Sequence, residues 1–264
     1  DSKINWSKTK IKINSTISKG KTYVTQGFIG SNLKKETTTL GREGSDFSAA
    51  IFAWCIGADE VVIWKDVDGL LNADPKIFNN TEILKNISFK EAIELSYLGA
   101  SVIHPKTIKP LENKNISLSI RSFIDLNNPG SLIGNVGRND KDMPSIIYKP
   151  NQILLTISTI DYSFIFEEHM SKLFSIFFKM GLKVHLMQNS ALSCSVCGII
   201  LPNNFDHLIS DLQKKYIVKY NTKVNLLTIR YFKNLEIPSL FQNQEILIQQ
   251  RSRSTLRYVL KEKK

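Results

Sequence analysis

The sequence is poor in the features that mark secreted and membrane-embedded proteins. It contains three cysteines among 264 residues, which is too few for the disulfide framework of a small secreted domain. Its first residues, DSKINWSKTKIKIN, are polar and basic, so we expect no signal peptide. No apolar run approaches the ~18 residues that cross a bilayer. We therefore predict a protein of the reducing cytoplasm that has no membrane partner.

Clear metal-binding and nucleic-acid-binding patterns are also missing. Cys194 and Cys197 have the spacing of half a zinc site, but residues three apart on a strand point to opposite faces. The four histidines form no ligand spacing, so we predict no metal site built by the protein. The formal net charge is +11, yet the lysines are scattered along the chain, and only the final KEKK is a cluster. This distribution argues against a nucleic-acid partner.

The chain does contain enough apolar material for a core, and its pattern changes near the middle. Hydrophobic residues make up 42% of the sequence, which excludes a wholly disordered chain. Glycine, asparagine, aspartate and proline concentrate between residues 127 and 150, as is typical of loops and linkers. We therefore predict two domains, at residues 1–148 and 149–264.

Strand and helix patterns alternate before this linker. We predict a helix that Ser45 and Asp46 cap, and another over 88–99 that begins with a Ser-x-x-Glu capping box. Buried strands are predicted at 21–30, 61–64 and 116–123, with a further strand at SVIHP. Strands alternating with helices indicate an α/β layered sheet.

The rhythm after the linker is different. The residues from ILLTIS to YIVKY give the order strand, helix, strand, strand, helix, strand, which is a ferredoxin-like βαββαβ unit. The remaining stretches, KVNLLTIRYF and EILIQQRSRSTLRYVLK, predict more strands with little room for a helix between them.

The stretch TTTLGREGSD at residues 37–46 is too polar to be explained by packing alone. Gly41 and Gly44 allow close approach of the backbone to a ligand, and Ser45 and Asp46 stand where the next helix begins. A helix start offers free amides to a carboxylate or phosphate, and Arg42 adds a planar fork for the same oxygens. The alternative is a plain capped turn, which leaves Arg42 and the glycines without a role.

A second polar stretch, KDVDGLLNADPK at residues 65–76, follows the predicted strand at 61–64. The carboxyl ends of strands are where open α/β sheets bind ligands. A nucleotide there would use Lys65 and Lys76 on its phosphates, and Asp66 or Asp74 on its sugar or magnesium ion. As an ordinary loop, the same residues would simply be solvated.

Together these stretches resemble the aspartate kinases of the amino-acid kinase family. The matching pieces occur in the family's order and with similar spacing, and they are VTQGFIGS, TTTLGREGSD, EVVIWKDVDGLLNADPK, EAIELSYLGASVIHPKT and the PGS stretch that ends at Leu132-Ile133. The second half is similar to the family's regulatory region. The resemblance implies the C-terminal half of an amino-acid kinase-type three-layer αβα sheet. An ACT domain, which is the ferredoxin-like unit, and a shortened second ACT-like unit would follow.

The resemblance implies an enzyme, a phosphotransferase with a carboxyl-group acceptor. It would phosphorylate L-aspartate with MgATP to 4-phospho-L-aspartate, the first step of lysine, threonine and methionine biosynthesis. Aspartate would be held by Arg42, Gly44, Ser45 and Asp46. Arg42 and Asp46 would be catalytic, and Asp46 would either contact the amino group of the substrate aspartate or orient a catalytic lysine. ATP would be lined by Lys65, Asp66, Leu71, Asp74, Lys76 and Ser101, with Mg²⁺ arriving on the nucleotide.

The sequence also departs from the family. It holds no Lys-x-Gly-Gly phosphate loop and no downstream substrate-binding glutamate. Lys65 replaces a threonine, Lys76 an arginine, and Ser101 a lysine. We therefore expect the 264-residue chain alone to be inactive, and we expect the N-terminal half either to belong to a longer chain or to be a separate partner of a split enzyme. The alternative is a non-catalytic regulatory subunit that binds an amino acid. A kinase of the same fold that acts on another substrate would leave the presence of the ACT half unexplained.

The resemblance further implies a homodimer that forms through the ACT region. Apolar strand edges would otherwise stay open, which natural proteins avoid. An amino-acid effector would contact the end of the strand KVHLMQ, and the residues concerned are Gln188, Asn189, Ser190 and Ala191. His185 stands where lysine-binding relatives often carry an aspartate, so the effector's identity stays open.

Overall fold

The computed structural model describes residues 3–99, 102–135, 143–232 and 238–263. The helices of these residues are α1 (Trp6–Thr16), α2 (Gly44–Ile56), α3 (Phe89–Leu98), α4 (Pro105–Glu112), α5 (Glu167–Met180) and α6 (Pro202–Gln213). The first strands are β1 (Ile29–Ser31), β2 (Thr37–Thr39), β3 (Glu60–Lys65), β4 (Asn86–Ser88), β5 (Ser117–Ser122) and β6 (Ser131–Gly134). The later strands are β7 (Ser145–Thr159), β8 (Lys183–Asn189), β9 (Ser193–Ile199), β10 (Tyr216–Arg230), β11 (Gln244–Arg251) and β12 (Thr255–Glu262).

The chain divides into two compact units, and unit 1 (Asp1–Ser145) is built on a four-stranded sheet in the order β3-β5-β6-β4. β3 is parallel to β5, β4 is parallel to β6, and β5 and β6 are antiparallel. Leu118, Ile120 and Ile133 are fully buried in a core that side chains of α2, α3 and α4 complete. Each such side chain contributes about 1.5–3 kcal/mol on burial. The prediction of a mixed α/β fold is confirmed.

The buried strand predicted at residues 21–30 is wrong for most of its length. Only Ile29 and Gly30 belong to a strand there, and β1 pairs with the short β2. Val24 is 98% exposed. Its apolar neighbours have the composition of a strand, but without a pairing partner the backbone hydrogen bonds of a strand are not made.

The strand predicted at SVIHP is also wrong, because α4 begins at Pro105. The ring nitrogen Nδ1 of His104 accepts a hydrogen bond from the backbone amide of Lys106 at 3.1 Å. Proline suits the first turn of a helix, where its missing amide is not needed. His104 therefore acts as the cap of α4.

The two predicted helix caps differ in outcome. Ser88 Oγ accepts a hydrogen bond from the backbone amide of Glu91 at 3.1 Å, which confirms the cap of α3. Capping of α2 by Ser45 and Asp46 is wrong, since α2 already begins at Gly44 and both residues lie in its first turn. Their side chains are consequently available for other contacts.

Unit 2 (Ile146–Lys264) contains the predicted ferredoxin-like arrangement. The chain runs β7-α5-β8-β9-α6-β10, and these strands lie side by side in the order β10-β7-β9-β8. β9 is antiparallel to both β7 and β8. β10 joins the predicted strands YIVKY and KVNLLTIRYF into one, and β11 and β12 extend the sheet beyond it.

The two cysteines of β9 show that both faces of this sheet are covered. Cys194 packs with Leu173 and Phe177 of α5, whereas Cys197 packs with Val224 of β10 and Val259 of β12. Residues three apart on a strand point to opposite faces, and the prediction that these cysteines cannot share a metal site is confirmed. Burial raises the pKa of Cys194 to about 11 and that of Cys197 to about 12, so both stay thiols.

Across the ranges that the structure describes, no helix combines the length and the apolar character needed to cross a membrane.

Candidate functional site

The polar stretches that follow β2 and β3 lie at the same edge of unit 1, and element lengths explain why. α2 has 13 residues and β3 has 6; at about 1.5 Å and 3.3 Å per residue, each spans about 20 Å. The chain reverses between them at Gly57, which has a φ of +66°. The first turn of α2 is therefore brought back beside the last residue of β3.

An ion pair joins these two ends. The ammonium nitrogen Nζ of Lys65 lies 3.0 Å from Oδ2 of Asp46, and the two side chains are 22% and 16% exposed. The Asp46 oxygen is itself buried and accepts no aligned hydrogen bond from a described residue. The contact is thus a short electrostatic one, and the lysine keeps donors that can point elsewhere.

Close packing of the segment before β1 holds the start of α2 in place. A side chain at Gly44 would lie 2.8 Å from Cβ of Phe28, and one at Gly27 would lie 3.0 Å from Ser45. The amide of Phe28 donates to Ser48 Oγ at 2.8 Å. Gly44 therefore permits contact with the protein itself, which is a different use from the close approach to a ligand that its position in the motif suggested.

A lysine that sequence reasoning missed supports the loop before α2. Lys106 Nζ, from the first turn of α4, donates to the carbonyl oxygen of Leu40 at 2.8 Å. It also lies 5.6 Å from the centre of the Phe47 ring. Nothing in the sequence connects residues 40 and 106, and the only local signal was a charged residue directly after a proline at a helix start.

Arg42 and Glu43 complete the loop. Arg42 is 79% exposed, and its Nε lies 4.0 Å from Oε1 of Glu43. Glu43 occupies the left-handed region with a φ of +53°, and its Oε2 is buried without a hydrogen-bond partner in the described part of the chain. The guanidinium group of Arg42 can consequently contact a ligand that arrives from solvent. It lies next to the start of α2, where the first backbone amides have no acceptor within the helix.

The loop after β3 is open and is shaped by its own backbone contacts. Asp66, Asp74 and Lys76 are exposed, and Leu71 forms a bridge to Ile83. Oδ1 of Asp74 accepts the amide of Lys76 at 2.9 Å, a turn that aspartate favours. Exposed carboxylates are the hard oxygen donors that the magnesium ion of a nucleotide prefers, so these residues fit that ion.

The structure brings only part of the predicted site together. Asp46 and Lys65 form an ion pair, whereas no ion pair joins Lys76 to Asp46 in the described ranges. Ser101 lies outside the described residues. No group of three or more histidine, cysteine, aspartate or glutamate side chains that could hold a metal ion occurs among residues 3–99, 102–135, 143–232 and 238–263.

The predicted effector residues lie at the exposed end of β8 and in the turn that follows it in unit 2. Gln188, Asn189, Ser190 and Ala191 are all exposed. Ser190 Oγ lies 2.7 Å from Ser193 Oγ, and the carbonyl of Ala191 accepts the amide of Ile165 at 2.9 Å. The turn is therefore ordered by its own hydrogen bonds. The side-chain amide of Asn189 donates to Sδ of Met170 at 3.8 Å, and the exposed Gln188 offers its amide group to solvent.

His185 belongs to a polar cluster inside unit 2. Its Nδ1 lies 2.9 Å from Oε1 of the buried Gln152, and its carbonyl accepts a hydrogen bond from Arg257 at 3.1 Å. Burial and the positive charges of Lys149, Arg257 and Lys183 lower its pKa from 6.5 to about 4. His185 sits in a bulge of β8, which frees that carbonyl from the strand ladder.

Comparison with known proteins shows that most of the chain is similar to aspartokinases. Residues 3–122 match the model of the amino acid kinase family. The lysine-sensitive aspartokinase 3 of Escherichia coli is 34% identical over 173 residues, which is 66% of this chain and 38% of that protein. Aspartokinase 3 of Arabidopsis thaliana, a chloroplastic protein, is 32% identical over 209 residues, or 74% of this chain and 36% of that one.

Solved structures extend this likeness to unit 2. Escherichia coli aspartokinase III in complex with lysine and aspartate has a TM-score of 0.72 and 27% identity, covering 89% of this chain and 56% of that one. Clostridium acetobutylicum aspartate kinase has a TM-score of 0.83 at 24% identity over 98% of this chain and 64% of that one, which shows the fold. The chain thus spans little more than a third of the two curated relatives and 56–64% of the two solved ones.

Proposed function

Since residues 3–122 belong to the amino acid kinase family and most of the chain is related to aspartokinases, we propose that this protein acts as an aspartate kinase. It transfers the terminal phosphoryl group of MgATP to the β-carboxylate of L-aspartate. The 4-phospho-L-aspartate so formed enters lysine, threonine and methionine biosynthesis, and the reaction takes place in the cytoplasm.

The contact between Asp46 and Lys65 carries this proposal. It joins the first turn of α2, where Arg42 and free amides suit a carboxylate substrate, to the loop that Asp66 begins. Phosphoryl transfer needs mainly positioning and neutralisation of phosphate charge. An acceptor site and a donor loop linked by one ion pair fit that need.

Within the acceptor site, Arg42 forks onto a carboxylate of aspartate, and Gly44, Ser45 and Asp46 supply the helix start. On the donor side, the nucleotide is lined by Lys65, Asp66, Leu71, Asp74, Lys76 and Ser101. The magnesium ion supplies charge neutralisation on the phosphates when it is bound. The protein's carboxylates at Asp66 and Asp74 are the groups that would hold it.

The test is L-aspartate-dependent formation of ADP. The 264 residues contain no Lys-x-Gly-Gly phosphate loop, so we expect the chain alone to show no turnover and the chain joined to such a loop from a relative to be active. Turnover by the chain alone would overturn the first expectation. Absence of turnover in the joined protein, together with no binding of L-aspartate by calorimetry, would overturn the proposed function.

A regulatory role for unit 2 is the second candidate function. The solved relative with lysine bound aligns with 89% of this chain, and its identity of 27% supports a comparable regulatory fold. We propose that unit 2 forms a symmetric homodimer and that an amino acid binds at residues 188–191. Sedimentation at micromolar concentration tests the dimer. Calorimetry with lysine, threonine and methionine tests the effector, and Asn189→Ala should weaken whichever of them binds.

A further inference from the structure

We propose that unit 2 contains a binding site for a small oxyanion, a carboxylate or phosphate group that Lys149 and His185 hold between them. The inference goes beyond the proposed function and does not depend on it. The site lies at the bulge of β8, and it uses other residues than the exposed segment 188–191.

The hydrogen bonds around His185 leave one of its ring nitrogens available. Gln152 is 3% exposed, and its Nε2 donates to the carbonyl oxygen of Pro150 at 2.7 Å. Oε1 of Gln152 is therefore turned toward His185 and accepts a hydrogen bond from Nδ1 at 2.9 Å. Nε2 of the histidine makes no hydrogen bond to a residue of the described ranges. The ring is half-buried, and this nitrogen keeps access to solvent.

The backbone of β7 allows Lys149 to reach the same place. Residues three apart on a regular strand point to opposite faces, which would separate Lys149 from Gln152. Asn151, between them, has a φ of +56°, and this left-handed conformation interrupts the alternation. Such an angle costs a non-glycine residue of order 1 kcal/mol, and strain of this kind is concentrated where side chains are aimed at ligands.

The charges of this cluster are all positive. Burial lowers the pKa of His185 to about 4, and three charges act in the same direction, those of Lys149, Arg257 and Lys183. Burial and the charge of Arg257 also lower the pKa of Lys149, while the sulfur of Cys197 acts in the opposite direction. No carboxylate of the described residues is among the groups that act on either side chain.

A half-buried cluster of like charges is unfavourable unless a negative group joins it. Such charges repel each other more strongly than solvated ones because less water screens them. Arg257 is already engaged, since its guanidinium group donates to the carbonyl oxygen of His185 at 3.1 Å. An oxyanion that bridges Lys149 and His185 supplies the negative charge, and hydrogen bonds between charged groups are roughly twice as strong as neutral ones.

Binding of the anion changes the protonation of His185. In the empty site the imidazole is neutral, and its Nε2 is a hydrogen-bond acceptor that cannot donate to an anion. The negative charge of a bound anion favours the protonated ring. One proton is then taken from solvent onto Nε2, and the N–H so formed donates to the anion. Affinity therefore rises as the pH falls through the pKa that His185 has in the complex.

Calorimetry of the full chain with sulfate tests both parts of the proposal, since sulfate keeps its double charge between about pH 5.5 and about pH 7.5. The dissociation constant should decrease by about 3-fold or more as the pH falls across this range. Titrations in two buffers of different ionisation enthalpy measure the protons taken up. Inorganic phosphate and succinate, measured in the same way, distinguish a phosphate ligand from a carboxylate ligand.

Two variants of the site are compared with a matched control. Lys149→Met should weaken sulfate binding by about 10-fold or more, and it should fold normally because it removes a repelling charge. His185→Gln should still bind sulfate, but without proton uptake and without the pH dependence. Lys179→Met should change nothing, because Lys179 is an exposed lysine of α5, which packs on the Cys194 face of the sheet.

The outcomes that contradict the proposal are distinct. Absence of saturable binding of sulfate, phosphate and succinate by the wild type at an ionic strength of about 0.1 M would overturn the site. Equal effects of Lys149→Met and Lys179→Met would overturn the role of Lys149. A pH dependence that persists in His185→Gln would overturn the role of His185. None of these measurements involves turnover, so their outcome is independent of the proposed kinase activity.

Discussion

The two units of the chain treat buried polar groups differently. At the edge of unit 1, Asp46 and Glu43 each bury an oxygen that has no hydrogen-bond partner in the described residues. Inside unit 2, the buried Gln152 bonds to His185, and β7, β9 and α5 enclose an apolar core. A buried oxygen without a hydrogen-bond partner costs about 1–3 kcal/mol, and the ammonium group of Lys65 offsets part of that cost for Asp46. Natural proteins keep such oxygens chiefly where they serve a function.

Backbone conformation is unusual on both sides of the start of α2. Phe28 and Glu43 have positive φ angles of 56° and 53°, and both flank the start of α2. Such angles cost non-glycine residues of order 1 kcal/mol. Non-glycine residues with positive φ angles occur in both units, so the buried polar groups carry the comparison. They teach that this edge of unit 1, rather than the better satisfied interior of unit 2, is where chemistry is expected.

The largest expected effect is on activity in unit 1. In a protein that has a phosphate loop, Asp46→Ala and Arg42→Ala should each lower aspartate-dependent turnover by about 100-fold or more, because each removes a charge from the acceptor site. Circular dichroism should show both variants folded, and Lys90→Ala is the control for loss of a distant charge. Near-normal turnover in both variants would contradict the placement of the site.

The next effect concerns stability in unit 2 and should leave the site untouched. Leu173 is fully buried against the sheet, so Leu173→Ala should lower the free energy of unfolding by about 2–5 kcal/mol. Urea denaturation measures the change. The control is Phe178→Ala on the same helix, where the side chain is 90% exposed and the expected change is below about 0.5 kcal/mol. Altered nucleotide affinity in folded Leu173→Ala protein would show that the stability of unit 2 and nucleotide binding by unit 1 are not independent.

A smaller effect should appear as a pH dependence of unit 2. The pKa of His185 falls from 6.5 to about 4 on folding, so the unfolded chain takes up the proton first as pH falls. Stability supplied by neutral His185 is complete above pH 6.5 and is lost between there and pH 4. Partial exposure reduces the loss to about 1–2 kcal/mol.

The histidine contribution is isolated by a difference between two proteins. Urea unfolding of the wild type and of His185→Gln should be compared at pH 7 and pH 4.5, since carboxyl groups titrate in both. The wild type should lose more stability than the variant. An equal loss in both proteins would show that His185 is not the group responsible.

The smallest effect is expected in the nucleotide loop. Lys76 is exposed, so Lys76→Ala should raise the KM for ATP by about 3- to 10-fold, near 1 kcal/mol. The KM for L-aspartate should not change. Steady-state kinetics with each substrate varied in turn would show this, and an unchanged KM for ATP would remove this loop from the nucleotide site.

Local signals in the sequence were sufficient for much of the fold. The Ser-x-x-Glu box predicted the start of α3, and α5 ends at Gly181 in the left-handed conformation that favours glycine. The alternation of helix and strand predicted the ferredoxin-like unit. The motif at residues 37–46 pointed to a site before any contact was known. Each of these signals depends on residues within a few positions of one another.

Tertiary structure alone decided the rest, because burial and pairing depend on residues far apart in the chain. Residues 21–26 have the composition of a strand and form none, since no neighbour pairs with them. Lys65 could be predicted as a nucleotide ligand from its loop, but only the matched lengths of α2 and β3 bring it to Asp46. Lys106 reaches Leu40 across 66 residues through the packing of α4 on α2. The sequence therefore determined the elements and the site motif, and the packing of the elements determined which charges meet.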